Sequence, residues 1–262
     1  MKKWTIALAL ACAATASAVQ AADWTGKVIK LAVDPTYPPL EYKTPDGKLT
    51  GFGVDIANAL CAQMHAKCVW VETSFDGMIP GLLARKFDVI SSSMTITPKR
   101  MQQIAFSSKI SNAPARLVVR RGSALLPDAA SLKGKRVGVE QGTSQEDYAR
   151  AMWQPAGVEI VAYQNQDQVY ADLTSGRLDA ALQDSVQADL GFLKTARGAG
   201  FEFTGSDLTD PKGTLGTGAA IGLRKEDTDL KDKIDKAIAD MIKDGTYKKI
   251  EDKYFTFNVY GS

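Results

Sequence analysis

Leu82-Leu-Ala-Arg-Lys-Phe-Asp-Val-Ile-Ser-Ser-Ser-Met-Thr-Ile-Thr-Pro-Lys-Arg100 compresses the logic of the whole chain into nineteen residues. A helix ends, Phe87 to Ile90 forms a short buried strand, a polar run leaves it, and a second helix begins. Thr97 is a good N-cap and Pro98 is tolerated at the first helical position. Consecutive serines are poor strand residues but suit a wet site at a strand exit. Ligands bind at strand ends in α/β proteins, which makes Ser92, Ser93, Thr95 and Arg100 candidates. In the first turn of its helix, the planar guanidinium of Arg100 can grip a carboxylate bidentately, with free N–H groups beside it.

The same pattern extends outward. Val28 to Val33, Val69 to Val71, Arg116 to Val119, Arg136 to Val139 and Leu178 to Leu182 read as strands. Gly53 to Met64, Met78 to Ala84, Thr143 to about Trp153, Ser185 to Leu193 and Asp229 to Lys243 read as helices, and Gly245-Thr-Tyr247 leads into another. Alternation of this kind predicts parallel sheets covered by helices, an α/β fold. Leu173-Thr-Ser-Gly-Arg-Leu-Asp-Ala180 repeats the pattern of Leu82 to Val89, and the shared register sets Asp184 opposite Ser93. Two lobes facing each other across a crevice follow from that repeat, and such crevices favour small ligands.

Other polar motifs also close apolar runs: Asp34-Pro-Thr-Tyr37, Gln141-Gly-Thr-Ser144 and Gln183-Asp184. Thr143-Ser-Gln-Glu146 is a capping box, and a cap satisfies only one or two of the four free N–H groups at a helix start, leaving others for a ligand. Asp184 either caps the next helix or faces a ligand ammonium; a buried carboxylate needs such a cation. Tyr37 and Phe75 are either core residues or a pair of rings enclosing a flat or cationic side chain, at about 0.5–2 kcal/mol per contact. The inventory suits a small zwitterion with a positive tail.

Composition excludes several classes. Lys2 and Lys3, the apolar run Ile6 to Ala14 and the small-residue exit Val19 to Ala22 mark residues 1–22 as a cleaved signal peptide. Losing Lys2 and Lys3 from 32 basic residues balances them against 30 acidic ones, which disfavours nucleic acid or an anionic membrane as partner. Cys61 and Cys68 then remain, and an even pair in an exported chain reads as a disulfide worth roughly 2 kcal/mol. A metal site is not expected, because His65 is the only histidine and lies inside that loop. No dinucleotide fingerprint, P-loop, Cys-x-x-Cys or Gly-x-Ser-x-Gly motif occurs, so neither a cofactor nor an enzyme activity is expected.

Assembled, these motifs resemble the bacterial periplasmic amino-acid-binding proteins of ATP-driven (ABC) importers, solute-binding protein family 3. Within them the likeness is to the lysine/arginine/ornithine-binding and histidine-binding group. It runs through Gly51 to Ile56, Cys61 to Cys68, Phe75 to Pro80, Ser91 to Arg100, Val137 to Glu146, Asp172 to Asp184, Gly222 to Lys225 and Tyr254 to Gly261. The resemblance implies a two-lobe, type II (Venus-flytrap) fold with the ligand cleft between lobes. It implies a first lobe of residues 24–111 and 218–262, a second of 116–208, and hinge crossings at 112–115 and 209–217. It also implies a periplasmic monomer that takes a cationic L-amino acid (arginine, lysine, ornithine or histidine) to a membrane permease.

By the same resemblance, the ligand carboxylate meets Arg100 and N–H groups of Thr95 and Ser144, and its ammonium meets Asp184, Thr95 and the Ser93 carbonyl. The side chain lies between Tyr37 and Phe75, with Asp34 and Ser92 near its far end. Two positions depart from the group. Gly53 replaces an acidic residue, which is expected to open room for arginine or an opine-like derivative, and Glu140 replaces an aliphatic one. An acid in the cleft also raises an enzymatic alternative on the same scaffold, a periplasmic cyclohexadienyl dehydratase.

Overall fold

The computed structural model describes residues 24–261, so the signal-peptide expectation lies outside the described residues. Two five-stranded sheets organise the chain. The first runs Lys67–Glu72, Val28–Val33, Val89–Ile90, Ala219–Leu223, Ala105–Ser111, and the second Glu159–Tyr163, Arg136–Glu140, Ala180–Asp184, Ala115–Arg120, Phe201–Thr204.

The sheets share one plan. In each, the fourth strand is antiparallel to both its neighbours, while the first three are mutually parallel. The expectation of parallel sheets is therefore corrected at that one strand of each. The opposed strand is in both cases the first one formed after the chain has come from the other sheet. It starts at the ends where the parallel strands finish, as the pairing of Ala115 with Asp184 shows, and must run away from them.

Alternation along each strand feeds helices on both faces. Ile29 and Leu31 pack with Phe52, Ile56, Ile234 and Ile238 beneath the helices Phe52–Gln63 and Thr228–Lys243. Ala32 points the other way, into a cluster with Met78, Leu82 and Phe87. Phe52 is 1% exposed and meets Tyr247 and Phe255 edge-on, a burial worth roughly 1.5–3 kcal/mol. The second sheet has matching clusters around Val137, Val139 and Trp153 on one face and Val169, Phe192 and Phe201 on the other.

The Cys61–Cys68 disulfide ties the end of Phe52–Gln63 to the strand Lys67–Glu72. Two local expectations shift. The strand expected to end at Leu182 runs on through Asp184, and the helix expected from Ser185 to Leu193 is α-helical only to Ala188, continuing as a π turn over Asp189–Leu193. That turn brings Gly191 against the Pro38 carbonyl of the other half, where an added Cβ would lie 2.2 Å from the oxygen. No helix among the described residues is long and apolar enough to cross a membrane.

Candidate functional site

The parallel strands of both sheets end at one cleft of about 410 Å³, the open space at its mouth included. Asp34, Tyr37, Phe75, Ser92, Ser93, Thr95 and Arg100 line it from one half, and Glu140, Thr143, Ser144 and Asp184 from the other. Every candidate named from the sequence thus faces the same space, joined by Gln145, which sequence reasoning passed over although it follows Ser144 at the same helix head.

Arg100 is the basic side chain of the described lining. Thr97 caps the helix Pro98–Met101 by accepting from the Arg100 N–H at 3.2 Å. The Arg100 guanidinium then donates to the Thr95 carbonyl at 2.8 Å and across the cleft to the Gly142 carbonyl at 2.9 Å. Its centre lies 5.4 Å from the Phe75 ring. Burial lowers its pKa to about 10, so it stays charged at neutral pH. With two of five N–H donors so used, the rest remain for a ligand carboxylate. Opposite, Thr143 accepts from Glu146 N–H at 3.2 Å and Glu146 accepts from Gly142 N–H at 2.7 Å. The capping box thus forms with its return bond one residue early. Ser144 and Gln145 N–H groups precede the first intrahelical bonds.

The lining is also acidic. One oxygen of Asp184 accepts from Val186 and Gln187 N–H groups, each at 2.9 Å, so it caps the helix Ser185–Ala188 as one reading expected. The same carboxylate lines the cleft, so one side chain both caps the helix and faces the cavity. Burial raises its pKa to about 6 against the pull of those two bonds, leaving it mostly ionised at pH 7.

Tyr37 donates to Gln183 Oε1 at 2.8 Å, joining the two halves. Asp34 is fixed by Thr36, whose N–H and hydroxyl donate to it at 3.1 and 2.7 Å, while its own N–H donates to Ser92 Oγ at 3.0 Å. Burial raises Asp34 despite the Thr36 bonds. Glu140, 3% exposed at the end of its strand, is pushed well above the carboxylate range, first by burial and then by the Asp34, Asp76 and Asp167 charges.

Sequence reasoning missed Glu41. It is 1% exposed, and Ser93 Oγ donates to its two carboxyl oxygens at 2.9 and 3.0 Å. Burial pushes its pKa up to about 8, helped by the Asp184 and Asp34 charges and opposed by Ser93. Glu41 also corrects the expectation for Gly53. A Cβ at Gly53 would stand 2.1 Å from Glu41 Oε1, so the space freed by the glycine is filled by that carboxyl and gives no room to a larger ligand. The available signal was an acid placed directly after Pro38-Pro39-Leu40, seven residues beyond Asp34.

Lys99 and Asp147 close the rim with an ion pair of 2.8 Å across the halves. Among the described residues no cluster able to hold a metal ion is found.

Residues 29–257 match the family described as bacterial extracellular solute-binding proteins, family 3. The chain is 48% identical over 261 residues to the histidine-binding periplasmic protein of Salmonella typhimurium, covering all of both chains. It is also 48% identical over 261 residues to the lysine/arginine/ornithine-binding periplasmic protein of Escherichia coli K12, again covering both in full. Among solved structures, an ancestral arginine-binding protein bound to arginine superposes with a TM-score of 0.80 at 34% identity, covering 87% of this chain and 98% of that one. These relatives are binding proteins rather than enzymes, and the dehydratase alternative has less support than a receptor.

Proposed function

The chain belongs to the bacterial extracellular solute-binding proteins of family 3, and from that premise we propose that it captures a cationic L-amino acid in the periplasm and delivers it to the permease of an ABC importer. The candidate ligands are arginine, lysine, ornithine and histidine, the chemistry named for its relatives. The receptor acts as a monomer after loss of residues 1–22, without a cofactor. Its lobes are 24–111 with 218–262, and 116–208, hinged at 112–115 and 209–217. The two passages of the chain between the sheets, after Ser111 and after Thr204, support this division.

One observation carries the reading: a guanidinium from one half and a carboxylate from the other line a single buried space, as the poles of an α-amino acid require. Arg100 and the Ser144 helix start take the carboxylate. Asp184, Thr95 and the Ser93 carbonyl take the ammonium. Tyr37 and Phe75 enclose the side chain, with Asp34, Ser92 and Glu140 toward its cation and Thr143 holding the helix head. A ligand that touches both halves favours the closed arrangement by its differential contacts.

A thermal-shift panel of the standard amino acids plus ornithine, followed by calorimetry, tests this. The bound ligand is expected to be cationic, adding about 4 kcal/mol of stability at a thousandfold excess over Kd. Arg100→Ala and Asp184→Asn are each expected to abolish detectable binding while the fold survives. Affinity like that of the unmodified protein in either variant refutes the assignment of the poles.

A further inference from the structure

The cleft holds more acid than a cationic amino acid can neutralise. Asp34, Glu140 and Asp184 line it, with Arg100 the one basic side chain among the described lining residues. With every group ionised, the empty cleft carries two net negative charges, and an amino acid with a positive side chain removes only one. Like charges sharing a buried space repel, and a proton on one carboxylate relieves that repulsion.

Of the three lining acids, Asp34 accepts hydrogen bonds from Thr36, and Asp184 from Val186 and Gln187, which leaves the Glu140 carboxyl as the one without such donors among the described residues. This residue ends the strand Arg136–Glu140 and faces acids from several packed elements: Asp34 from the end of Val28–Val33, Asp76 from the turn Phe75–Gly77, and Asp167 from the helix Gln166–Thr174. The buried phenols Tyr37 and Tyr170 also lie within reach of its charge and are themselves raised by burial, and several charged groups around its strand are paired. Asp167 pairs with Arg197 at 3.1 Å, Glu146 with Arg150 at 2.9 Å and Asp147 with Lys99 at 2.8 Å. Tyr163, its register partner, donates to Asp172, and Asp184 caps its helix. Arg100 reaches this strand's continuation only at the Gly142 carbonyl. Burial and these like charges all raise Glu140, and among the described residues neither a cation nor a hydrogen bond opposes them at its carboxyl.

We propose that Glu140 exchanges its proton for the ligand's cation: it is protonated in the empty cleft, and the positive side chain of the incoming amino acid displaces that proton to solvent. The exchange leaves the cleft's net charge the same before and after loading. It selects side chains that are permanently charged, ammonium or guanidinium, and it makes capture weaken as pH falls. The inference rests on the receptor reading above and deepens it.

Calorimetric titration of arginine and of lysine at pH 7 to 8, where Asp184 is already ionised, in two buffers of different ionisation heat, tests it. Between about half a proton and one proton is expected to be released per arginine bound, with the association constant rising up to about tenfold per pH unit below the pKa of Glu140 in the empty cleft. Glu140→Gln keeps the shape and removes the titrating group, so weaker binding without proton release is expected. Saturable binding with the same heat in both buffers overturns the exchange and leaves the receptor reading intact. Proton release that survives in Glu140→Gln overturns the assignment to Glu140. Failure of both arginine and lysine to bind overturns the receptor reading, and the exchange with it.

Discussion

Replacing Glu41 by Gln should make the protein more stable at alkaline pH, although it removes a side chain buried between two hydrogen-bonding distances to Ser93. The folded-state pKa is about 8 and the ordinary value 4.5. Over that interval the folded protein keeps a proton that the unfolded chain has lost, so stability falls as pH rises, at about 1.36 kcal/mol per unit. The loss begins near the unfolded value and is complete above the folded one. Between pH 5 and pH 8 it amounts to roughly 4 kcal/mol, which for a chain of this size is a shift of roughly 8–16 °C in Tm. Gln does not titrate and can still meet Ser93 Oγ, so its melting curve lacks this slope. The assay is thermal or denaturant unfolding of both proteins from pH 5 to pH 8 without ligand. The expected result is a variant that gains steadily on the unmodified protein across the series. A constant separation would refute the reasoning, because it would mean that Glu41 is ionised in the folded state throughout.

Gly191→Ala places a Cβ 2.2 Å from the Pro38 carbonyl, so the halves cannot approach as closely; ligand affinity is expected to drop at least tenfold in calorimetry, with ligand-free melting almost unchanged. Arg224 is 5% exposed, pairs with Asp227 at 2.6 Å and donates to the Phe87 and Leu82 carbonyls, so Arg224→Ala should lose about 3–5 kcal/mol in denaturant unfolding by stranding those partners.

The fold was legible because each lobe repeats one local grammar, a strand with a polar exit followed by a capped helix. Thr97 and Thr143 cap the helices their positions announced. The antiparallel fourth strands were not legible, since their direction depends on where the chain arrives from the other sheet, a non-local fact. Short pairings such as Thr36–Tyr37 with Glu41–Lys43 also left no periodic signal. In the site, residues at strand exits were found because position and chemistry coincided. Glu41 escaped because it lies one layer behind the serines, on a three-residue strand, and only packing against Gly53 brings it there.

Arg100 is held by carbonyls from both halves, Thr95 on its own side and Gly142 across the cleft. One side chain therefore takes part in two equilibria, how often the vacant receptor shuts and how long it retains its cargo. Any substitution there moves both at once, so the two traits cannot drift apart through this residue. Independent tuning of retention falls to residues such as Glu140, which lines the cavity from a single sheet.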